Sequence, residues 1–396
     1  MNRLLGCYRY VYNKMLELRI SAYKDEKKSL SVCDLSKYYH GVMLKDAELD
    51  WLKQQNTKVM KQSIRQLDKA YANFFKRGSG FPKFKSKHDE QTALFPLEAI
   101  SKRNTFETKK ITLITSLKDI HFRCSKLYHN RLRMFKENIR SATLSRTKTG
   151  KYFLSILMDI PDNELVKFKK TGNSVGIDLG VKDFVITSDG EVFENKHFFK
   201  GTEHRIKVLQ KQLSRKVKGS NNRMKQRIRL ATAYERLSNQ REAYIHYVAN
   251  SLLKDYDTIC MEDLNVRGML RNHKLAKAIA EVGLYRFRTV LTDKATVNHK
   301  SVVFVNRFYP SSKTCSVCGY TKRDLTLADR EWTCPECGTH HDRDVNASVN
   351  ILNEGKRIIG SRTAEFTPVD CPTMDDRCES DLKSSGRAKQ EGGTDE

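Results

Sequence analysis

Apolar residues recur at helical spacing through the first part of the chain: Leu4, Leu5, Tyr8, Val11, Tyr12, Met15 and Leu16, then Val59, Met60, Ile64, Leu67, Ala70, Tyr71, Phe74 and Phe75. Each set puts one apolar stripe on a helix, so residues 1–90 are expected to form a helical domain with those stripes inward. The pattern then changes. Ile111-Thr112-Leu113-Ile114-Thr115, Asp119 to Cys124 and Ser141 to Ile160 read as strands, the last a hairpin turning at Lys148-Thr149-Gly150. A small antiparallel β domain is expected over 91–165, with a linker opening at Pro161-Asp162-Asn163.

A third pattern starts near residue 172. Ser174 to Leu179 is an apolar strand, Gly180 a tight turn, Asp183 to Thr187 a second strand and Asp189-Gly190 another turn. Residues 202–255 read as two long helices broken at Gly219-Ser220-Asn221-Asn222. Ile259-Cys260-Met261 is a buried-type strand ending in acids, Leu275 to about Ala295 is helical, and residues 302–305 form a further strand. Strand, hairpin, helix, strand, helix, strand is a mixed α/β order. The stretch 359–396 is polar and aperiodic and is expected to be disordered.

Charge narrows the partners. Lys and Arg number 73 against 47 Asp and Glu, a net charge of +26, which makes a polyanion the default partner and nucleic acid the favoured one. No apolar run is long enough to span a bilayer, and no signal peptide is evident. Basic residues interleave with aromatics and glycines from Phe75 to Lys85, so Lys76, Arg77, Lys83 and Lys85 are candidate phosphate contacts beside stacking rings. Arg215, Lys216, Lys218 and Arg223, around the break between the two long helices, are further candidates, as is Lys313.

The ten cysteines do not form a disulfide framework. Four of them make two CxxC knuckles: Cys315 and Cys318, then fifteen residues, then Cys334 and Cys337. Gly319 and Gly338 follow the pairs, as a knuckle turn requires. Four thiolates close a tetrahedral site, so one structural Zn2+ is expected, with His340 and His341 as alternative ligands.

Three acids stand out. Asp178 lies inside an apolar strand, where a charge is costly unless paired or metal-bound. Glu262 ends another such strand. Asp344 opens a helix with Val345, Val349 and Leu352 on one face. Each has an ordinary alternative: turn amides for Asp178, a lysine for Glu262, a helix N-cap for Asp344. Acids on strand, strand and helix together suggest one site holding two Mg2+ ions, with Mn2+ an alternative, which activate water and stabilise a leaving phosphodiester oxygen. Asp183, Asp189, Asp263 and Asp342 compete less well, Asp263 because it points away from Glu262, although spacing alone sets Asp344 only narrowly above Asp342.

Gly176-Ile177-Asp178-Leu179-Gly180-Val181-Lys182-Asp183, Met261-Glu262-Asp263-Leu264, the paired knuckles and His341-Asp342-Arg343-Asp344-Val345-Asn346-Ala347-Ser348 resemble the TnpB proteins of bacterial insertion sequences, relatives of the miniature type V CRISPR nucleases. The likeness extends to the Phe74–Lys87 stretch and to Phe308-Tyr309-Pro310-Ser311-Ser312-Lys313. It implies a RuvC-type, RNase H-like nuclease domain over 172–307, interrupted by a zinc ribbon at 308–340 and completed by a helix at 341–358. It further implies a helical recognition domain and a β-barrel wedge domain. In this family pattern the catalytic acids fall on Asp178, Glu262 and Asp344, the Asp-x-Asn-Ala form selecting Asp344 over Asp342.

The activity the resemblance implies is metal-dependent, RNA-guided cleavage of double-stranded DNA. The guide RNA would come from the element itself, and the protein would be a monomer or weak dimer in the bacterial cytoplasm, nucleoid-associated when on DNA. Family members begin with a strand ahead of the first helix, whereas this sequence opens at Met1-Asn2-Arg3-Leu4-Leu5, so the barrel is expected to show an unpaired edge. The competing reading is a catalytically silent DNA- or RNA-binding accessory of transposition; a guide-free resolvase is a third.

Overall fold

A computed structural model describes residues 1–88, 91–273, 276–326 and 329–365, the last four through their backbone alone. The chain divides into two units. The first comprises Met1–Lys169, Lys196–Tyr247 and Thr296–His299; the second comprises Lys170–Asn195, Val248–Ala295 and the chain from Lys300 onward. The second helix of the basic pair, Asn221–Asp255, begins in one unit and ends in the other.

In the first unit, helix Asn2–Glu26 buries Leu4, Leu5, Tyr8, Val11, Tyr12, Met15 and Leu16, the stripe read from the sequence. Helix Thr57–Arg77 is capped by the Asn56 side chain, which accepts from the amides of Lys58 and Val59. It stops at Gly78, whose φ of 62° favours glycine. The β segment forms β1 (Gln91–Pro96), β2 (Lys110–Ile111), β3 (Ile120–His121), β4 (Ile139–Arg146) and β5 (Tyr152–Met158). Among the described residues these strands make two sheets: β1, β4 and β5 form a three-stranded antiparallel sheet, and β2 pairs with β3. The stripe of the first helix, Val59, Met60, Ile64 and Leu67 of the second, and the inward residues Ala93, Phe95, Ala142 and Leu144 belong to one core, whereas Phe75, expected inward, is exposed. The pattern change near residue 90 is therefore a change of secondary structure within a shared core.

The second unit is built on a five-stranded sheet of β6 (Ser174–Leu179), β7 (Asp183–Thr187), β8 (Val192–Glu194), β9 (Thr258–Glu262) and β10 (Ser301–Val305). Its order is β10-β9-β6-β7-β8. The hairpins β6–β7 and β7–β8 are antiparallel; β9 runs parallel to β6, and β10 parallel to β9. Lys300, its side chain fully buried, holds the start of β10: its ammonium pairs with Asp257 at 2.9 Å and donates to the carbonyls of Leu253 and Tyr256. The single helix expected from Leu275 is two, Ala276–Val282 and Leu284–Val297, separated by Gly283 at φ 76°; Leu275 itself lies outside the described residues. The ribbon strands β11 (Glu331–Thr333) and β12 (His340–Asp342) pair antiparallel and run without a gap into helix Arg343–Glu365. That helix continues past residue 358, where the sequence reading ends it. The rest of the expected disordered tail, 366–396, lies outside the described residues.

Two glycines set how closely this last helix lies on the sheet. A Cβ on Gly176 of β6 would sit 2.0 Å from the Ser348 carbonyl oxygen, and one on Gly355 would sit 2.2 Å from Cys260 Sγ of β9. Helix backbone and strand backbone thus touch directly. Gly176→Ala has no flexible neighbour to displace and is expected to destabilise the protein by ~3 kcal/mol. Gly201→Ala, in a helix with nothing within 4 Å of the added Cβ, is expected to be neutral or mildly stabilising. Urea midpoints of the two variants provide the comparison.

Candidate active site and metal centre

Strand parity aims the first two acids. Residue 177 of β6 pairs with residue 261 of β9, so Asp178 and Glu262 follow side by side at the C-terminal ends of adjacent parallel strands. Side chains alternate along a strand. Gly176 and Cys260 meet the last helix, so Asp178 and Glu262, two residues further on, share that face. Ser348 lies over Gly176, and Asp344 is one helical turn earlier. A turn of helix rises about 5.4 Å and two strand residues about 6.6 Å, so the two advances match and bring Asp344 to the other acids.

The electrostatics agree with this convergence. Burial, then the charges of Glu262 and Asp344, push the Asp178 carboxyl up to about 7, against a smaller pull from the Leu179 amide and Arg343. Burial also raises Glu262, opposed by the Ser311 hydroxyl, which donates to its Oε1 at 2.5 Å. Asp344 receives Arg330 at 2.9 Å. The three carboxylates are less tightly drawn than the thiolates: only the cysteine set, among the described residues, has all its ligand atoms within 4.8 Å.

The neighbouring acids have other work. Asp342, not Asp344, caps the last helix, accepting from the amides of Asp344 at 3.0 Å and Val345 at 2.9 Å. The capping alternative for Asp344 is thereby removed. Asp263 is held well below the ordinary carboxylate range by hydrogen bonds from Arg288 and Arg307. Asp189 accepts from Ser188 and Tyr256, and Asp183 lies 3.8 Å from Lys182. Asp342→Ala is expected to cost about 1 kcal/mol through the lost cap and to leave Asp344 in place. Thermal midpoints of Asp342→Ala and Asp342→Ser, the latter restoring a cap, check this.

Cys315, Cys318, Cys334 and Cys337 come together without disulfides, with Sγ···Sγ separations of 3.6 Å for Cys315–Cys337 and 3.5 Å for Cys318–Cys334. Tetrahedral Zn2+ with thiolates at about 2.3 Å requires sulfurs roughly 3.8 Å apart, close to what is found. The two knuckles are built alike. The amide of Cys315 donates to Tyr320 and that of Gly319 to Cys315, while Cys334 donates to Thr339 and Gly338 to Cys334. Gly319 at φ 80° and Gly338 at φ 71° meet the left-handed requirement of each turn. His341 lies outside the thiolate set: its Nε2 is 3.0 Å from Cys315 Sγ and its ring lies against Trp332. A neutral imidazole there can donate to the sulfur and orient it. The residues present therefore fit a structural zinc ion.

Ribbon and acids are joined by side chains that sequence reading missed. Asn346 accepts from the Ser316 amide and donates to the Thr314 carbonyl; Asn350, one turn on, donates to the carbonyls of Ser311 and Thr314. The knuckle at Cys315 is thus clamped onto the helix that carries Asp344, and Ser311 in the same segment reaches Glu262. Two asparagines at i, i+4 among small residues were the available signal.

The basic candidates divide. Lys76, Arg77, Lys83, Arg215, Lys216 and Lys218 are exposed. Lys85 is half-buried: its ammonium lies 4.0 Å from the Tyr12 ring centroid, and its backbone is tied to Asn13 in both directions. Burial lowers its pKa. Arg223 closes the turn between the two long helices, donating to the carbonyls of Leu213 and Lys216. Lys313 donates to the Arg323 carbonyl across the knuckle. The aromatics of the Phe75–Lys85 stretch pack on one another, with Tyr71, Phe74, Phe75 and Phe81 at centroid separations of 5.0–6.3 Å.

Three families match parts of the chain: "Helix-turn-helix domain" at residues 1–28, "Probable transposase" at 155–273 and "Cas12f1-like, TNB domain" at 285–351. The first covers what is a single uninterrupted helix in this structure. A Streptomyces pristinaespiralis protein named "Putative RNA-guided DNA endonuclease" is 34% identical over 358 residues, 90% of this chain and 85% of that one. An Escherichia coli K12 protein, "Putative RNA-guided DNA endonuclease InsQ", is 28% identical over 91% of this chain and 89% of its own. A mimivirus "TnpB-like protein L79" is 31% identical over 52% of this chain and 41% of its own. Among solved structures, the Cas12f1 chain of a cryo-EM complex with sgRNA and target DNA shares the fold, with a TM-score of 0.55 and 16% identity over 89% of this chain and 82% of that one.

Proposed function

The chain belongs to the TnpB/IS605 family, and from that premise we propose that it is an RNA-guided, divalent-metal-dependent DNA endonuclease of a mobile element. The observation that carries the reading is the convergence of Asp178, Glu262 and Asp344, with the Asp178 carboxyl pushed up to about 7 by burial and by the other two. Half-buried like charges of this kind are relieved by a cation. The donors are carboxylates with one hydroxyl, Ser311, close by, and hard oxygen donors suit Mg2+ or Mn2+. In this reading the second unit is a RuvC-type, RNase H-like nuclease domain. Residues 1–90 act as recognition domain and 91–165 as wedge, here two sheets.

Asp178, Glu262 and Asp344 would hold two Mg2+ ions. The ions supply positive charge that activates water and offsets charge on the leaving oxygen of a phosphodiester. The protein's own contributions are positional. Ser311 fixes one oxygen of Glu262, Asp342 holds the helix start so that Asp344 is not spent on capping, and Arg330 neutralises Asp344. The exposed cations Lys76, Arg77, Lys83, Arg215, Lys216 and Lys218 supply phosphate contacts for guide RNA and double-stranded DNA in the bacterial cytoplasm. No described helix is long and apolar enough to cross a membrane.

The test is cleavage of matched double-stranded DNA by protein co-expressed with RNA from its own locus, with and without Mg2+. Guided, Mg2+-dependent cutting that disappears with Asp178→Ala is expected. RNA retention without cutting would replace the reading with that of a silent accessory. Cutting of branched DNA without RNA would make the protein a resolvase.

A further inference from the structure

The segment that follows β10 is tied down on both sides of Phe308. Arg307 donates to Asp263, the carboxylate next in sequence to Glu262. The Tyr309 amide donates to the Asn306 carbonyl, and the Tyr309 ring packs on the core of Val303, Val305 and Ile351. Ser311 donates from its hydroxyl to Glu262 and accepts at its carbonyl from Asn350. Phe308 lies between these anchors. Its amide is fixed by the Asn306 side chain, yet it is 86% exposed, the most exposed large apolar side chain among the described residues. Leaving a phenylalanine in water forgoes most of what burial would return. A mobile loop could fold such a ring away, but a segment pinned on both sides cannot.

The geometry points to Phe308 as a stacking perch for an unpaired nucleobase of the DNA strand being cut, an assignment that rests on the nuclease reading above. Three features select this occupant. Phe308 is three residues from Ser311, a Cα separation of at most about 11 Å, so the ring stands within a few nucleotides of the acids. Arg307 beside it, although paired with Asp263, keeps 42% of its side chain exposed, so a cation lies next to the ring. A flat ring with both faces open stacks any base, so it holds a strand without reading its sequence. On the nuclease reading, an unpaired stretch of the cut strand beside the acids needs a hold, which a stacking ring supplies and the three acids do not.

The experiment uses the intact RNA-loaded protein and target DNA bearing single 2-aminopurines around the cut. Single-turnover cleavage is followed for wild type, Phe308→Ala and Phe308→Trp. Phe308→Ala should raise the DNA concentration for half-maximal rate about 5- to 150-fold, the equivalent of a stack worth about 1–3 kcal/mol. It should leave the maximal rate unchanged and abolish the 2-aminopurine quench at one position. Phe308→Trp should restore both. Zinc content and thermal midpoint should stay at wild-type values in both variants, because the ring packs on nothing. Guided cutting by wild type with Phe308→Ala indistinguishable from it would overturn the perch and leave the nuclease reading standing. A change in sedimenting mass for Phe308→Ala would assign the ring to contact between two copies of the chain, also overturning it. A wild type that binds no RNA and cuts nothing would remove the nuclease reading and this one together.

Discussion

Asp178→Asn should make the metal-free protein more stable while abolishing cleavage. The folded-state carboxyl titrates near 7, against about 3.9 in an unfolded chain. The folded protein therefore binds the proton more tightly than the unfolded one. Stability is full below pH 4, falls as pH rises from about 4 to about 7, and is flat beyond. A difference of that size between the folded and unfolded carboxyl corresponds to at most about 4 kcal/mol, and relaxation of the site brings the expected value nearer 2–3 kcal/mol. Asparagine keeps the shape and carries no charge, so wild type and variant should melt together near pH 4 and separate progressively up to pH 8. Mg2+ should close the gap by stabilising wild type alone. Cleavage by the variant should fall by a factor on the order of 1000 or more. A metal-free Asp178→Asn protein that melts at or below wild type at pH 8 would show that the carboxylates do not crowd one another.

Removing zinc should have the second large effect. Structural zinc sites contribute apparent free energies of ~10–16 kcal/mol in small zinc domains, so a ribbon without its ion is not expected to hold its two strands. Here the loss travels further. The ribbon strand β12 ends in Asp342, the cap of the last helix, and Asn346 and Asn350 tie the first knuckle to that helix. Cys334→Ser, or a strong chelator, should therefore release one zinc per chain and eliminate cleavage even in excess Mg2+. The five-stranded sheet, whose core does not include the ribbon, should keep its far-ultraviolet signal. Asn346→Ala, which keeps the zinc and cuts one strap, should retain full zinc content and lose about 10- to 100-fold in cleavage rate, as loss of outer-shell support does at metal sites. Full activity in zinc-free protein would make the ribbon dispensable to the acids.

Much of this architecture is legible in the sequence because its signals are local. Every residue of the helical stripe from Leu4 to Leu16 is buried in the first helix, and Cys7, which the stripe omits, is buried with them. The knuckles declare themselves by spacing and by glycines that need positive φ. Asp178 and Glu262 are recognisable as charges at the ends of apolar strands, and their shared face follows from parallel pairing of β6 and β9. What escaped depends on partners distant in the chain. The choice between Asp342 and Asp344 is narrow by spacing, and only the hydrogen bonds show one acting as cap and the other left to face the acids. Lys85 and Arg223 carry the same charge as their exposed neighbours, yet Tyr12 and the carbonyls of Leu213 and Lys216 claim them. The domain border near residue 90 follows a change of hydrophobic period, but a period reports an element's conformation and not which core it joins.

The helix that delivers Asp344 is also the last described piece of chain to leave the ribosome. Asp178 and Glu262 can take their places once β6 and β9 exist, but the third acid follows Glu262 by 344 − 262 = 82 residues. At a synthesis rate of about 5–20 residues per second, this leaves roughly 4–16 s in which a nascent chain holds two of the acids and not the third. During that interval the chain carries a sheet without a completed cutting centre. On the nuclease reading, a product cut short before the ribbon lacks Asp344 and cannot cut, so the placement of one aspartate keeps incomplete copies from cutting the DNA of the cell that makes them.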